Sequence, residues 1–157
     1  MRPSGFFLPA DLDHVYMLFE FRRVQETAAQ QARCANATLA EVRAIEAAVE
    51  LCRRGHETGA DALFERGDDD FHLAVAAPSH NRFQVAAVRE ARRLQRQSTI
   101  GLHGSAGGHV AEAVEERAAI HRVIRDGEPD GAAAAAGVHL DNTLEDYRSE
   151  IQRRLFG

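Results

Sequence analysis

Lysine and tryptophan are missing from this chain of 157 residues, and cysteine, methionine and tyrosine occur twice each. The 19 basic residues are therefore all arginines, set against 24 acidic ones for a formal net charge of -5. A chain so balanced lacks the basic surface that general nucleic-acid binding requires. Cys34 and Cys52 stand in neither a C-x-x-C pair nor a metal-knuckle spacing, which fits free, buried thiols in a reducing compartment. Neither has an activating neighbour in the sequence, so nucleophilic catalysis has no support. No apolar run approaches the ~20 residues of a membrane span, and the opening Met1 to Pro9 is too short an apolar stretch for a signal peptide. A soluble, cytoplasmic protein is expected. Also missing are a G-x-S-x-G elbow, a phosphate loop and a dinucleotide fingerprint.

What is present favours helix. Ala, Arg, Glu, Gln and Leu dominate, β-branched residues are few, and 45% of residues are hydrophobic, enough for one sizeable core. The expected fold is all-α, an antiparallel bundle of six to seven helices, with residues 1–10 as an extension and 11–157 as the helical domain. A first helix is expected over 10–35. The capping box Thr38-x-x-Glu41 opens a second, with Leu39, Val42, Ile45, Val49 and Cys52 as its buried stripe. Gly55 and Gly59 set off a third over about 60–76, closed by Pro78. A fourth starts near 79–81 and turns Phe83, Val88, Ala91 and Leu94 inward. The glycine-rich stretch 101–108 reads as a mobile connection. A fifth helix over 109–126 ends at Asp126-Gly127-Glu128-Pro129, and the last runs almost to Phe156.

Several polar residues fall where helical spacing calls for core. A buried polar group costs several kcal/mol unless partnered, so each needs an explanation. Phe64, Asp68, Phe71, His72 and Val75 share one face, which places Asp68 and His72 one turn apart. Such a pair either hydrogen-bonds internally or holds a metal ion. On the fifth helix Val110, Val114, Arg117, His121 and Ile124 are in register, and on the first Leu12, Val15, Phe19, Arg22, Glu26 and Ala29. Arg22 reads as half of an Arg22–Glu26 pair or as an anion-binding group. On the last helix Leu140, Leu144, Tyr147, Ile151 and Leu155 form the apolar stripe, and His139 lies on an adjacent face with Ala132, Ala135 and Asn142. His14, His56, His80, His103 and His109 fall near helix ends or loops and read as solvated. Inward polar groups on four helices imply a polar cavity in the bundle.

Arg22-x-x-x-Glu26, then Asp68-Asp69-Asp70-Phe71-His72 with Asn81 after it, then Ile124-Arg125-Asp126-Gly127 leading to Ala132 and His139-Leu140, resemble the effector-sensing C-terminal (FCD-type) domain of FadR-subfamily regulators in the GntR family. The resemblance covers about Asp11 to Tyr147. It implies a homodimeric, non-enzymatic transcription-factor domain that binds a small carboxylate effector, often beside a divalent metal such as zinc held by one Asp and three His. Carried over, Asp68, His72 and His139 would be metal ligands, and Arg22 and Asn81 would face the effector. The remaining family histidine falls on Arg117, beside Glu116, unless a shifted helix brings His121 into its place. Arg117 is then paired with Asp68 in the metal's position, or grips an anionic effector beside Arg22; effector binding is the expectation for it. DNA would be reached only through a winged helix-turn-helix domain, for which this chain offers no recognition helix. A metal-dependent helical-bundle enzyme is the alternative built on the same Asp and His residues.

Overall fold

The computed structural model describes residues 12–98 and 109–156, and the elements named here are those among them. Six α-helices follow in order: α1 Leu12–Arg33, α2 Leu39–Thr58, α3 Asp61–Ala76, α4 Arg82–Ser98, α5 Val110–Arg125 and α6 Pro129–Phe156, with a 3-10 turn at Ala77–Ser79 before α4. No strand occurs among the described residues. The all-α bundle expected from composition is therefore the observed fold. The 101–108 connection lies outside the described residues, as does the side chain of Leu155.

Local chemistry explains most boundaries. At the start of α2 the Thr38 hydroxyl accepts from the Glu41 backbone N–H, and the Glu41 carboxylate accepts from the Thr38 N–H at 2.8 Å. Gly59, at φ 64, closes the same helix in the left-handed conformation that glycine adopts without strain. Gly55 does not break the helix as the spacing suggested. It lies within α2, buried, where a β-carbon would come within 2.4 Å of the Phe64 backbone nitrogen. Gly67 on α3 meets the Cys52 backbone nitrogen at 2.7 Å in the same sense. These two glycines let α2 and α3 lie against each other at backbone distance, one residue before Asp68.

The apolar core falls into two clusters. Ile45 and Val49 of α2, Phe71 and Val75 of α3, Ile120 and Ile124 of α5, and Ala132 of α6 make the first. Val15 and Phe19 of α1 with Leu140, Tyr147 and Ile151 of α6 make the second. Helix α1 runs antiparallel to α6, and α4 packs on α1 and α3. Two sequence expectations fail at helix starts. Leu39 is 66% exposed and Phe83 76% exposed, each in the first turn of its helix.

Candidate functional site

Arg22 follows Phe19 by one turn, His72 follows Phe71, and His139 precedes Leu140, so polar groups stand beside members of both apolar clusters. Arg22 is the largest wholly buried side chain among the described residues, at 1% exposure. Its Nε donates to Glu26 Oε1 at 2.7 Å, and Nη1 donates to Gln95 Oε1 at 2.5 Å. Its Nη2 lies 3.5 Å from His72 Nδ1. Burial alone would raise the Glu26 carboxyl, but the Arg22 charge and the His72 contact outweigh it and hold Glu26 well below the usual carboxylate range. The internal Arg22–Glu26 pair read from spacing is thus present, and Arg22 is fully engaged by the protein itself.

Asp68 is the hub. Its Oδ1 accepts from Arg117 Nη2 at 2.5 Å and its Oδ2 accepts from Arg92 Nη2. His72 Nε2 lies 3.4 Å from Oδ1. Against the cost of burial, Arg92 first and Arg117 next hold the Asp68 carboxyl well below its ordinary value. Arg117 also donates from Nη1 to the Ala113 carbonyl at 2.7 Å and lies over the rings of Phe64 and Phe71. One carboxylate on α3 is therefore clamped by guanidinium groups from α4 and α5.

On the other side, the His72 and His139 rings stack with centroids 5.6 Å apart. His139 Nδ1 is 2.8 Å from Glu116 Oε2, and Asn142 Nδ2 donates to Glu116 Oε1. Burial, with the charges of Arg117 and Arg22 adding to it, lowers the His139 pKa to about 4 despite the Glu116 contact. Burial works against Glu116 ionising, but hydrogen bonds from His139 and Asn142 keep its carboxyl below the ordinary value. His139 is thus neutral near pH 7, with Nδ1–H donating to the Glu116 carboxylate.

Arg22, Asp68, His72, Arg117 and His139 are brought together in one cluster. Asn81 is not with them. It is exposed, and its Oδ1 accepts from the Phe83 and Gln84 backbone N–H groups, which makes it the cap of α4 rather than an effector contact. His121 is buried with no partner for Nε2, and no contact links it to Asp68, so it does not stand in for the missing ligand. Its pKa is lowered by burial, against an opposing pull from Glu46.

Sequence reasoning missed Arg92 and Gln95, both buried. Gln95 Oε1 also accepts from Arg92 Nη1 at 3.1 Å, and its amide donates to the Tyr147 hydroxyl at 3.1 Å, which ties α4 to α6. The signal was available: Val88, Ala91, Arg92 and Gln95 follow i, i+3, i+4, i+7.

A divalent ion at Asp68, His72 and His139 does not fit this arrangement. Both Asp68 oxygens carry guanidinium hydrogen bonds, and His139 Nδ1 is committed to Glu116. No group of three His, Cys, Asp or Glu side chains converges as a metal centre among the described residues. Two positive charges ~4 Å from one guanidinium would be opposed by about 8 kcal/mol at an effective dielectric of 20.

Two surface clefts lie elsewhere. One of about 280 Å³ lies between α1 and α6, beside Tyr16, Arg23 and Asp141. The other, about 380 Å³ and mostly apolar, lies between α1 and α4. The cysteines are not part of the site, and burial pushes the Cys52 thiol up to about 11. No helix among the described residues is long and apolar enough to cross a membrane.

The bundle matches the solved structure of E. coli McbR/YncC with a TM-score of 0.79 over 88% of this chain and 69% of that one, at 11% sequence identity. Comparison with curated protein sequences finds no match. The FCD domain family model matches residues 17–142, which takes in every residue of the cluster except Tyr147. With four-fifths of its length matched and the six-helix bundle in place, the chain belongs to the FCD domain family.

Proposed function

We propose that this chain is the ligand-sensing domain of a GntR-family transcriptional regulator, binding a small organic acid through its carboxylate at the buried arginine cluster. The observation that carries this is a pair of buried guanidinium donors left without acceptors. Arg22, Arg92 and Arg117 are each at most 7% exposed, with Glu26, Asp68 and the similarly enclosed Glu116 as the carboxylates of the cluster. Arg92 Nε and Arg117 Nε are buried without an acceptor. A buried donor left unpaired costs about 1–3 kcal/mol, more when charged, and an incoming carboxylate would recover part of that. Family membership points to a regulatory domain rather than an enzyme.

Binding would act by population shift. A carboxylate on Arg117 or Arg92 competes with Asp68 and alters how α3, α4 and α5 are held together. In regulators of this type two sensor domains pair, and attached winged helix-turn-helix readers reach the DNA. The chain alone, at net charge -5, should give no salt-sensitive duplex binding.

The test is thermal denaturation against a panel of mono-, di- and hydroxycarboxylates, followed by calorimetric titration of any hit. A true ligand at a hundred times its Kd adds about 2.7 kcal/mol of stability. Arg117→Met and Arg92→Met should abolish that gain. Asn81→Ala should keep it while lowering baseline stability by about 1 kcal/mol through loss of the cap. A panel without a hit, or a hit indifferent to both arginine substitutions, overturns the reading.

A further inference from the structure

We propose that Arg117 is a resident cation in this domain, so that Asp68 is neutralised by protein guanidinium groups and the site works without a divalent metal. The inference deepens the ligand-sensing reading and takes its place in the fold from it.

Geometry carries the argument. A divalent centre needs a carboxylate oxygen with a free lone pair directed at the ion, and open imidazole nitrogens around it. Here the Asp68 carboxylate spans two guanidinium groups, Arg117 on Oδ1 and Arg92 on Oδ2. Arg117 is itself fixed from three sides. Its Nη1 donates to the Ala113 carbonyl one turn back, and its guanidinium carbon lies 5.4 Å from the Phe64 ring centroid and 5.9 Å from that of Phe71. Such a group is held on several sides, as a surface arginine is not. Arg92 is held as firmly, by Gln95 and by the neighbouring Asp69.

Charge points the same way. A guanidinium is permanently cationic and supplies directional donors, so it replaces the electrostatic work of a metal but offers no open coordination position. An anion entering this site therefore meets N–H donors and forms hydrogen bonds to them. Two consequences follow for the molecule. Its stability and its ligand response are indifferent to chelators, and the lost coordination position can be restored by a single substitution.

The experiment uses the whole chain and metal ions alone. The purified protein is measured for zinc, nickel, manganese and iron by elemental analysis, then melted with and without EDTA and with added Zn²⁺ or Ni²⁺. The expected result is substoichiometric metal and an unchanged melting temperature in every case. Arg117→His, which puts an imidazole where the guanidinium was and frees Asp68 Oδ1, should bind Zn²⁺ or Ni²⁺ roughly ten-fold or more tightly than the parent chain. His72→Ala in that background should remove the gain.

One equivalent of metal in the parent chain, lost with EDTA and with His72→Ala, overturns the proposal. A folded Arg117→His chain with no gain in metal affinity overturns it as well, since Arg117 would then not be what occupies the position. If that variant does not fold, the metal content and EDTA melt of the parent chain decide alone. A failed search for organic acids leaves this result standing, and a bound metal would leave that search untouched, so the two readings fail separately.

Discussion

His139 is held neutral inside the bundle, with a pKa of about 4 against 6.5 for a free imidazole. Its folded value is depressed, so below pH 6.5 the unfolded chain takes up a proton that the native chain refuses. Stability therefore falls as pH drops from 6.5 towards 4, by about 3 kcal/mol at the limit set by that shift. Glu116, whose carboxyl is also held low, adds a loss of the same sign at lower pH. His139→Asn keeps an N–H near the Nδ1 position for Glu116 but cannot titrate. Urea denaturation at pH 7, 5.5 and 4.5 should show a clearly flatter pH dependence for that variant; an identical slope would place the acid sensitivity elsewhere. The inward direction of Arg22, Asp68, His72, Arg117 and His121 was legible in the sequence, because each falls in register with apolar neighbours on its own helix. What each side chain touches was not legible. Arg92 reaches Asp68 across 24 positions and Glu116 reaches His139 across 23. Helical periodicity says which way a side chain points and is silent on what waits there. Asn81 shows the opposite error, since a polar residue one position ahead of a helix is explained by its own backbone.

At the scale of elements, the α2–α3 pair sets the position of Asp68. Gly67 immediately precedes it, and a β-carbon there would come within 2.7 Å of the Cys52 backbone nitrogen. Gly67→Ala and Gly55→Ala should each destabilise the domain by about 1–3 kcal/mol, because the clashing atoms are backbone and cannot give way like a flexible side chain. Chemical denaturation measures the loss. Gly67→Ala should in addition weaken any organic-acid binding, since separating α3 from α2 moves the Asp68 carboxylate against Arg117. The element boundaries were largely readable: the Thr38 capping box, Gly59 and the Pro129 start all act as local chemistry dictates. Gly55 was misread because a lone glycine signals a helix end and a close crossing with the same letter. Only the partner helix decides between them.

For the whole molecule, exposed Met17 and Phe21 of α1 line a mostly apolar groove against α4, and Val24 of α1 and Phe83 of α4 are exposed as well. Exposed apolar patches rimmed by polar residues commonly mark association surfaces. We propose that, if the sensor works as a pair, this is the face that pairs. Phe21→Glu should then shift sedimentation from dimer to monomer while leaving the helical circular-dichroism signal intact. A parent chain that sediments as a monomer at micromolar concentration would remove the homodimer from the proposed function.

The antiparallel seating of α1 on α6 has a consequence for synthesis. Val15 and Phe19 are covered by Leu140, Tyr147 and Ile151, which leave the ribosome more than a hundred residues later. At the usual ~5–20 residues per second, α1 waits roughly 5–25 s with that stripe uncovered. Arg22 and Glu26 lie on the same stripe and neutralise each other within one turn of one helix, before any other helix exists to receive them. A stretch that would otherwise be a plain apolar ribbon thus carries a self-contained ionic interruption during the interval when a nascent chain is most open to aggregation.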